Sequence, residues 1–189
     1  MSNKKTILAI SGSTKESSTN TTILKAIKTR YADQFDVHIY DQLTELPYFN
    51  PDLDLEPFPQ SVLRFRQLIE SADGVLFCTP EYVFSLPGIL KNAIEWTVST
   101  TVFSDKPVAI ITAATSGKKA HESLHLVMTT IMANIAPEAH FLIQAPKTKL
   151  NAQGEISDPA TLAKMDTLIQ ALLTTINHQE HATKSTLSN

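Results

Sequence analysis

The segment Thr6–Tyr31 constrains the fold most, because it combines a buried strand, a polar loop and a helix in one short stretch. Thr6–Ile10 is an apolar run bounded by turn residues, which is typical of a buried strand. Residues 11–20 form a loop rich in hydroxyl side chains. Ile23 and Ile27 then begin a pattern with the spacing of an amphipathic helix. The sequence therefore predicts a strand, a loop and a helix in that order.

The loop has the composition of an anion-binding site. A helix N-terminus presents unpaired backbone N–H groups and a partial positive charge, so phosphates bind there readily. Within the loop, Glu16 alone would repel an anion. The favourable side chains are Ser11, Ser13, Thr14, Lys15, Ser17, Ser18, Thr19 and Asn20. We expect a phosphate here, and the alternative is that the Ser and Thr residues only cap the helix and form a turn.

Two common phosphate-binding motifs are excluded by the glycine content of this loop. A P-loop needs a second Gly followed by Lys and Ser or Thr, and the dinucleotide-binding fingerprint needs three glycines. Gly12 is the only glycine before Gly74. A phosphate at this place would therefore be held mostly by side-chain hydroxyls and by the end of the helix.

The whole chain has the size and composition of one globular domain. It has 189 residues, 42% hydrophobic and 19% charged, and a net charge of -3. We expect a single domain over residues 1–177 and a polar tail over residues 178–189. The charge disfavours nucleic-acid binding, and no apolar stretch has the length of a membrane span. We expect a cytoplasmic protein with no nucleic-acid or membrane partner.

The chain contains one cysteine, Cys78, so an intrachain disulfide, a CxxC redox pair and a thiolate zinc cluster are all excluded. A protein of this composition that transfers electrons needs a cofactor to carry them. Cys78 lies in an apolar run, where a thiol usually packs in the core with a raised pKa. A nucleophilic role is the alternative.

Apolar runs alternate with helical patterns along the rest of the chain. The predicted strands are Thr6–Ile10, Phe35–Tyr40, Val75–Cys78, Pro107–Ala114 and His140–Ala145. The fourth helix is marked by Leu124, Val127, Met128, Ile131, Met132 and Ile135, with Met128 and Met132 in the core. This alternation predicts a parallel sheet covered on both faces, with ligands bound at the carboxyl ends of the strands. Gly12, Gly88 and Gly117 lie in loops at that edge, where the backbone must turn sharply or approach a ligand.

The segment Asp41–Gln60 is rich in proline and acidic residues and has no regular helix or strand pattern. A loop of this length inside a compact domain usually has a function or forms an interaction surface. We interpret its acidic side chains as a solvated face, and an acidic docking site is the alternative.

Three further features allow more than one interpretation. Glu81 is expected to be solvated or to cap Ser85, and a general base is the alternative. His121 and His125 have the i, i+4 spacing of metal ligands, but no third ligand accompanies them, so we expect surface histidines and no metal site. Trp96 and Phe84 are candidates for the core, for a flavin contact or for a subunit contact.

Two stretches resemble the NADPH-dependent FMN reductase family, which includes quinone, azo-dye and chromate reductases. They are residues 12–20 (GSTKESSTN) and residues 79–96 (TPEYVFSLPGILKNAIEW). The second is the more specific, because its Pro-Glu-Tyr turn is followed by Ser, by Pro-Gly and by Leu-Lys-Asn-Ala. The resemblance implies an α/β fold: a flavodoxin-like, doubly wound, five-stranded parallel sheet with strand order 2-1-3-4-5.

The resemblance also implies a set of cofactor-binding residues. The FMN phosphate would be held by Ser13, Lys15, Ser18 and Asn20, with Gly12 making the turn. The isoalloxazine ring would lie along Pro80, Glu81, Tyr82 and Ser85, with Thr115, Ser116 and Gly117 close to it. Lys15 stands where the family usually has Arg, and Val83 stands where it usually has Asn. A Lys neutralises charge but lacks the bidentate geometry of Arg.

By the same resemblance, the expected activity is flavin-dependent electron transfer with no catalytic side chain. FMN would be reduced by NADPH or NADH through N5 and reoxidised by a quinone, an azo compound, a metal oxyanion or free flavin in a ping-pong cycle. A homodimer or homotetramer is implied. The alternatives are a non-enzymatic electron carrier of the flavodoxin type and a flavin-binding module without turnover. A carrier usually has a strongly acidic surface, which a net charge of -3 does not provide.

Overall fold

Five parallel strands form the centre of the computed structural model, which describes residues 4–187 of the chain and the side chains of residues 4–180. The strands are β1 (Lys5–Ser11), β2 (Phe35–Tyr40), β3 (Gly74–Thr79), β4 (Val108–Ala114) and β5 (His140–Gln144). Their order in the sheet is β2-β1-β3-β4-β5, and all four pairings are parallel. The predicted flavodoxin-like fold class and strand order are confirmed.

Helices cover both faces of the sheet. They are α1 (Thr19–Arg30), α2 (Gln60–Ser71), α3 (Gly88–Glu95), α4 (Lys118–Thr130) and α5 (Pro159–Leu187). On one face, α1 and α5 pack on alternate strand residues such as Ile7 and Leu76. On the other face, α2, α3 and α4 pack on the intervening residues, such as Leu8 and Phe77. The central strands are apolar throughout because each of their two faces is buried.

The fourth helix is shorter than its apolar pattern predicts. It ends at Thr130, and Met132 has a left-handed backbone with φ of 62° and a side chain that is 63% exposed. Beyond the helix the chain pairs with the segment before β4: Asp105 N donates to Met132 O at 2.9 Å. The prediction that Met132 is a core residue is therefore wrong, whereas Met128 is fully buried.

The last helix begins where the sequence predicts. Asp158 Oδ2 accepts hydrogen bonds from Thr161 N at 2.9 Å and from Thr161 Oγ1 at 2.7 Å, which caps the first turn. The helix continues to Leu187, past residue 177, and residues 188 and 189 lie outside the described part of the chain. The domain boundary at residue 177 stays a prediction. Among the described residues, no helix combines the length and the apolar character needed to span a membrane.

Residues 41–60 are held to α2 and α3 at three points, namely Pro47, Asp54 and Phe49, whose N–H donates to Asn92 Oδ1 at 2.7 Å. Asn92 Nδ2 and Trp96 Nε1 both donate to Pro47 O, at 3.0 and 2.7 Å. Arg66 donates to Asp54 Oδ1 at 2.6 Å and to Trp96 O at 2.7 Å, and the Arg66 and Asp54 side chains are both buried. Asp54 thus departs from the solvated face that we expected, and Trp96 is a core residue. The Leu-Lys-Asn-Ala-Ile-Glu-Trp part of the second motif anchors this segment.

Candidate active site

The loops after β1 and β3 leave the sheet at the point where strand order reverses, which is where open α/β sheets bind their ligands. Gly12 is the first residue after β1, and its N–H donates to Cys78 O in β3 at 2.9 Å. A Cβ at Gly12 would lie 2.2 Å from Thr79 Oγ1, so only glycine allows the two loops to approach this closely. Gly88, in contrast, has open space around it, and its position has no steric requirement for glycine.

The loop after β1 ends in the N-terminus of α1. Ser18 is the N-cap residue, with an extended backbone and its hydroxyl facing Thr21 N at 3.5 Å. Ser11 Oγ lies 3.1 Å from Thr21 Oγ1, which ties the end of β1 to the first helical turn. Asn20 is buried, and its Oδ1 accepts a hydrogen bond from Cys78 Sγ at 3.3 Å. The first turn of α1 is therefore fixed against β1 and β3.

A cavity of about 500 Å³ opens at this helix N-terminus, within the size range of small-molecule sites. Seven of the predicted cofactor-binding residues line it: Ser13, Lys15, Ser18, Asn20, Pro80, Tyr82 and Thr115. The other lining residues are Ser17, Thr19, Ala113, Ala114, Ala145, Pro146, Lys147 and Thr148. Among the described side chains, no carboxylate lines the cavity, so the local charge from two lysines and the N-terminus of α1 is positive.

Glu81 is in the predicted set but does not line the cavity. Its Oε1 accepts a hydrogen bond from Gly117 N at 3.2 Å, and its Oε2 accepts from Lys119 N at 2.9 Å and Ala120 N at 3.0 Å. The expectation that Glu81 is solvated or caps Ser85 is therefore wrong, because the carboxylate caps α4. It joins the loop after β3 to the loop after β4, and its acceptor capacity is used by backbone donors rather than aimed at a substrate.

Gly117, Ser116 and Ser85 also lie beside the cavity rather than on its wall. Gly117 has a φ of +80°, and a Cβ there would lie 2.5 Å from Leu142 Cδ1, so this position needs glycine on two grounds. Ser116 O accepts a 3.4 Å contact from Gln144 Nε2. Ser85 pairs with Tyr82 through two backbone hydrogen bonds of 3.0 Å.

The Tyr82–Ser85 hairpin projects an apolar tip next to the cavity. Val83 and Phe84 both have left-handed backbones, with φ of 50° and 57°, which side chains with a Cβ rarely adopt. Val83 is 96% exposed and Phe84 is 78% exposed. Phe84 is therefore not a core residue, and a subunit contact and a flavin contact remain the interpretations for it.

Residues 145–148, after β5, form a further part of the cavity wall that the sequence did not predict. Ala145 has a left-handed backbone with φ of 47°, and its N–H donates to Ala114 O at 3.1 Å. A 3-10 turn, Pro146–Lys149, follows and places Lys147 on the cavity wall. The only signal in the sequence was topological, because a fifth parallel strand must also end at this edge.

Cys78 is fully buried beneath the site. Burial raises the pKa of the Cys78 thiol, because the charged thiolate is poorly solvated there. The thiol therefore remains protonated at neutral pH and donates to Asn20. This confirms the interpretation of Cys78 as a core residue.

A larger cavity of about 620 Å³ lies elsewhere, between α1 and the turn at residues 153–156. Its wall combines Lys25 and Arg30 with Glu155 and lies along α1 and the later part of the β5–α5 connection, away from the switch point between β1 and β3. Arg30 is paired with Asp166, and Glu155 offsets the charge of Lys25, so this cavity has little net positive charge. We therefore assign the functional site to the smaller cavity, whose position and charge agree.

A histidine cluster lies on α4 and β5, outside the cavity. His121 Nδ1 is 2.9 Å from Thr112 Oγ1, and His121 Nε2 is 3.0 Å from His140 Nδ1. The ring of His125 packs against that of His140 with a centroid distance of 5.2 Å. Burial and then the neighbouring His140 and His125 lower the pKa of His121 to about 4, so its imidazole is neutral at pH 7. No group of three or more His, Cys, Asp or Glu side chains among residues 4–180 is arranged to hold a metal ion.

These features fit a flavin mononucleotide. The end of α1 and Lys15 offer a phosphate the donors and the positive charge it requires, and the cavity continues between two strand-end loops toward Tyr82 and Thr115. Flavodoxin-like sheets of this strand order bind FMN at the switch point between β1 and β3. The fold and the site together define a flavodoxin-like α/β protein with a cavity beside the loop after β1.

Comparison with known proteins identifies the family. The model of the NADPH-dependent FMN reductase family matches residues 6–147, and the chain belongs to this family of oxidoreductases, whose cofactors are FMN and NAD(P)H. The NAD(P)H-dependent FMN reductase PA1204 of Pseudomonas aeruginosa is 33% identical over 91% of this chain and 95% of that protein. The NADH:(hydroxy)cinnamate reductase subunit CrdA of Vibrio ruber is 32% identical over 86% of this chain and 83% of that protein.

A solved structure supports the same family. The flavoenzyme NAD(P)H:(acceptor) oxidoreductase FerB from Paracoccus denitrificans superimposes with a TM-score of 0.79 and 28% identity, over 92% of this chain and 98% of that one. The protein is thus an enzyme of the FMN reductase family with the flavodoxin-like fold.

Proposed function

We propose that this enzyme binds FMN in the 500 Å³ cavity at the N-terminus of α1 and uses it to pass electrons from NADPH or NADH to a small acceptor. The observation that carries the proposal is a cavity without carboxylates, at the switch point of the sheet, with the α1 N-terminus and Lys15 on its wall. A phosphate is the group that this combination favours most.

In the proposed complex, the phosphate lies at the loop after β1. Lys15 contributes charge, and Ser13, Ser18 and Asn20 contribute polar contacts, while Gly12 lets this loop approach Thr79. Asn20 is buried, and its Oδ1 accepts a hydrogen bond from Cys78 Sγ, which orients its amide. These residues bind and orient, and none of them takes part in bond making.

The loops after β3 and β4 would hold the flavin ring. Pro80 and Tyr82 form one side of the cavity, and Thr115 forms another. Glu81, Ser85, Ser116 and Gly117 shape these loops from outside the cavity, through the cap on α4 and the hairpin. When bound there, FMN would supply the chemistry of hydride and electron transfer between the nicotinamide and the acceptor. The protein supplies position and an electrostatic environment.

We propose quinones, azo compounds, metal oxyanions or free flavin as acceptors, consistent with the range of substrates in the family. A flavodoxin-type carrier and a module without turnover are not favoured, because the relatives reported above are named as reductases or as a reductase subunit. We place the reaction in the cytoplasm, where reduced nicotinamide cofactors are generated.

We further propose that the protein is a homodimer or homotetramer, with the hairpin tip at Val83 and Phe84 in contact with a second copy. The tip is apolar, almost fully exposed and next to the cavity. Light scattering on the purified protein tests this proposal. A molar mass of one chain across the micromolar range would contradict it.

The first experiment on the activity is an absorbance titration of the apoprotein with FMN, followed by NADPH and then a quinone. We expect a two-band flavin spectrum that bleaches with NADPH and returns with quinone at a steady rate. A flavin that is reduced only by a partner reductase would support the carrier instead. The Lys15→Ala, Ser18→Ala double variant should bind FMN much more weakly while its far-UV circular dichroism is unchanged. Unchanged affinity would show that the phosphate lies elsewhere.

A further inference from the structure

The turn after β5 is a rigid part of the cavity wall. Ala145 N donates to Ala114 O at 3.1 Å, which attaches the turn to the end of β4. Thr148 N and Thr148 Oγ1 both donate to Ala145 O at 2.9 Å. Lys149 Nζ forms an ion pair with Asp158 Oδ1 at 3.1 Å and fixes the far end of the turn to α5. The backbone position of Lys147, between these contacts, is therefore set before any ligand binds.

Lys147 is a cation without a counter-ion. Among the side chains of residues 4–180, no carboxylate lies within ion-pair distance of Lys147 or of Lys15, and neither lysine donates a side-chain hydrogen bond. Both lysines line the 500 Å³ cavity, and they come from different loops, after β5 and after β1. Both lysines are exposed, so water screens their mutual repulsion, but together they give this cavity a positive potential. The arrangement therefore favours an anionic ligand.

The charge of the ligand supports a role for both lysines. A phosphate monoester carries close to two negative charges at pH 7. Lys15 and the α1 N-terminus together provide about one and a half positive charges, of which the helix end contributes about half a charge. A second lysine brings the total above the charge of the phosphate. No aspartate or glutamate on the cavity wall reduces it.

We infer that Lys147 is a second cationic ligand of the flavin phosphate and makes the site selective for FMN over unphosphorylated riboflavin. This inference rests on the proposed function and adds a residue that lies outside the two sequence motifs. The ammonium group of a lysine acts as a point charge on a flexible stem, so it reaches the phosphate without the fixed geometry of a guanidinium. The phosphates of the nicotinamide cofactor are a second source of the same chemistry, and the experiment separates the two.

The experiment compares FMN with riboflavin on four forms of the apoprotein: the unaltered chain, Lys147→Met, Lys147→Arg and Lys28→Met. Lys147→Met removes the charge and keeps the apolar stem. Lys28→Met is the matched control, because it makes the same change in net charge on an exposed residue at the opposite end of α1. Each form is titrated with each flavin, and the quenching of flavin fluorescence gives the dissociation constants.

We expect Lys147→Met to weaken FMN binding about tenfold, the size of one charge-assisted contact, while riboflavin binding is unchanged. Lys28→Met should change neither constant, and Lys147→Arg should retain the preference for FMN. The inference is overturned if FMN affinity is unchanged, or if both flavins lose affinity by the same factor, as a merely structural turn would produce. It is also overturned if FMN affinity is unchanged and the KM for NADPH rises, because the lysine would then bind the nicotinamide cofactor.

The two proposals fail in different ways. Tight FMN binding and NADPH-driven turnover by the unaltered enzyme support the proposed function, whatever Lys147→Met does. Loss of the inference alone leaves that function in place. If the unaltered apoprotein binds no FMN, both proposals are wrong.

Discussion

Replacing Glu81 by alanine would test whether its carboxylate holds the loop after β3 to the loop after β4. In the structure, Glu81 accepts hydrogen bonds from the backbone N–H groups of Gly117, Lys119 and Ala120 at 3.2, 2.9 and 3.0 Å. Loss of a helix cap costs about 1 kcal/mol, and loss of a carboxylate at a helix N-terminus adds up to about 1 kcal/mol. We therefore expect the free energy of unfolding to fall by about 2 kcal/mol.

For a chain of this size, that loss corresponds to a decrease in Tm of roughly 6 °C. We also expect FMN to bind about tenfold more weakly, because Tyr82 and Thr115 line the cavity from the two loops that Glu81 joins. Thermal unfolding of the apoprotein gives the first quantity, and fluorescence titration gives the second. Glu81→Gln should be intermediate, since it retains one of the two acceptor oxygens.

The matched control is Glu122→Ala, which removes the same charge from an exposed position on α4. Glu122 forms a surface ion pair with Lys119 at 2.8 Å, and such pairs contribute little to stability. We expect the Tm of this variant to stay close to that of the wild type. If Glu81→Ala and Glu122→Ala melt at the same temperature, the cap does not hold the loops and the reasoning is refuted.

Two further changes probe the parts of the fold around the site. Asp54→Ala should lower the free energy of unfolding by about 3 kcal/mol in a urea titration, because Arg66 is left buried without its partner, whereas exposed Asp52→Ala should not. The stability of the wild type should fall as the pH decreases from about 6.5 to about 4. In that range His121, whose pKa is about 4 when folded, gains its proton mainly in the unfolded state, whose pKa is about 6.5. His121 should account for at most about 2 kcal/mol of this loss in the free energy of unfolding, because its ring is only half-buried. If the His121→Gln variant loses as much stability over the same pH range, His121 is not the cause.

The fold was predictable from the sequence because its main signals are local. Buried strands such as Val75–Cys78 are continuous apolar runs, and the start of α5 is marked by Asp158 and Pro159. The end of α4 was not predictable in this way. Ile131 and Ile135 continue the helical period, but the backbone there pairs with residues 105–108, and such non-local pairing overrides the local pattern.

The candidate site likewise has a part that local sequence predicts and a part that depends on non-local packing. The first loop was recognised because its donors are consecutive, and the structure brings Ser13, Lys15 and Ser18 to one cavity. The partners of Glu81 lie more than thirty residues away along the chain, so spacing gave no indication that it caps α4. Lys147 was missed for a similar reason, since only the packing of the fifth strand brings its turn to the first loop.

The attachment of residues 41–60 leaves the outward side chains of the segment open to substitution. Asn92, Trp96 and Arg66 fix this segment through its backbone and through Asp54, from the inner side. Tyr48 and Leu55 point outward and are 91% and 67% exposed. Substitutions of these outward side chains therefore change the surface chemistry at little cost in stability. Such substitutions leave the anchoring contacts on the inner side of the segment, and the core beneath it, unchanged.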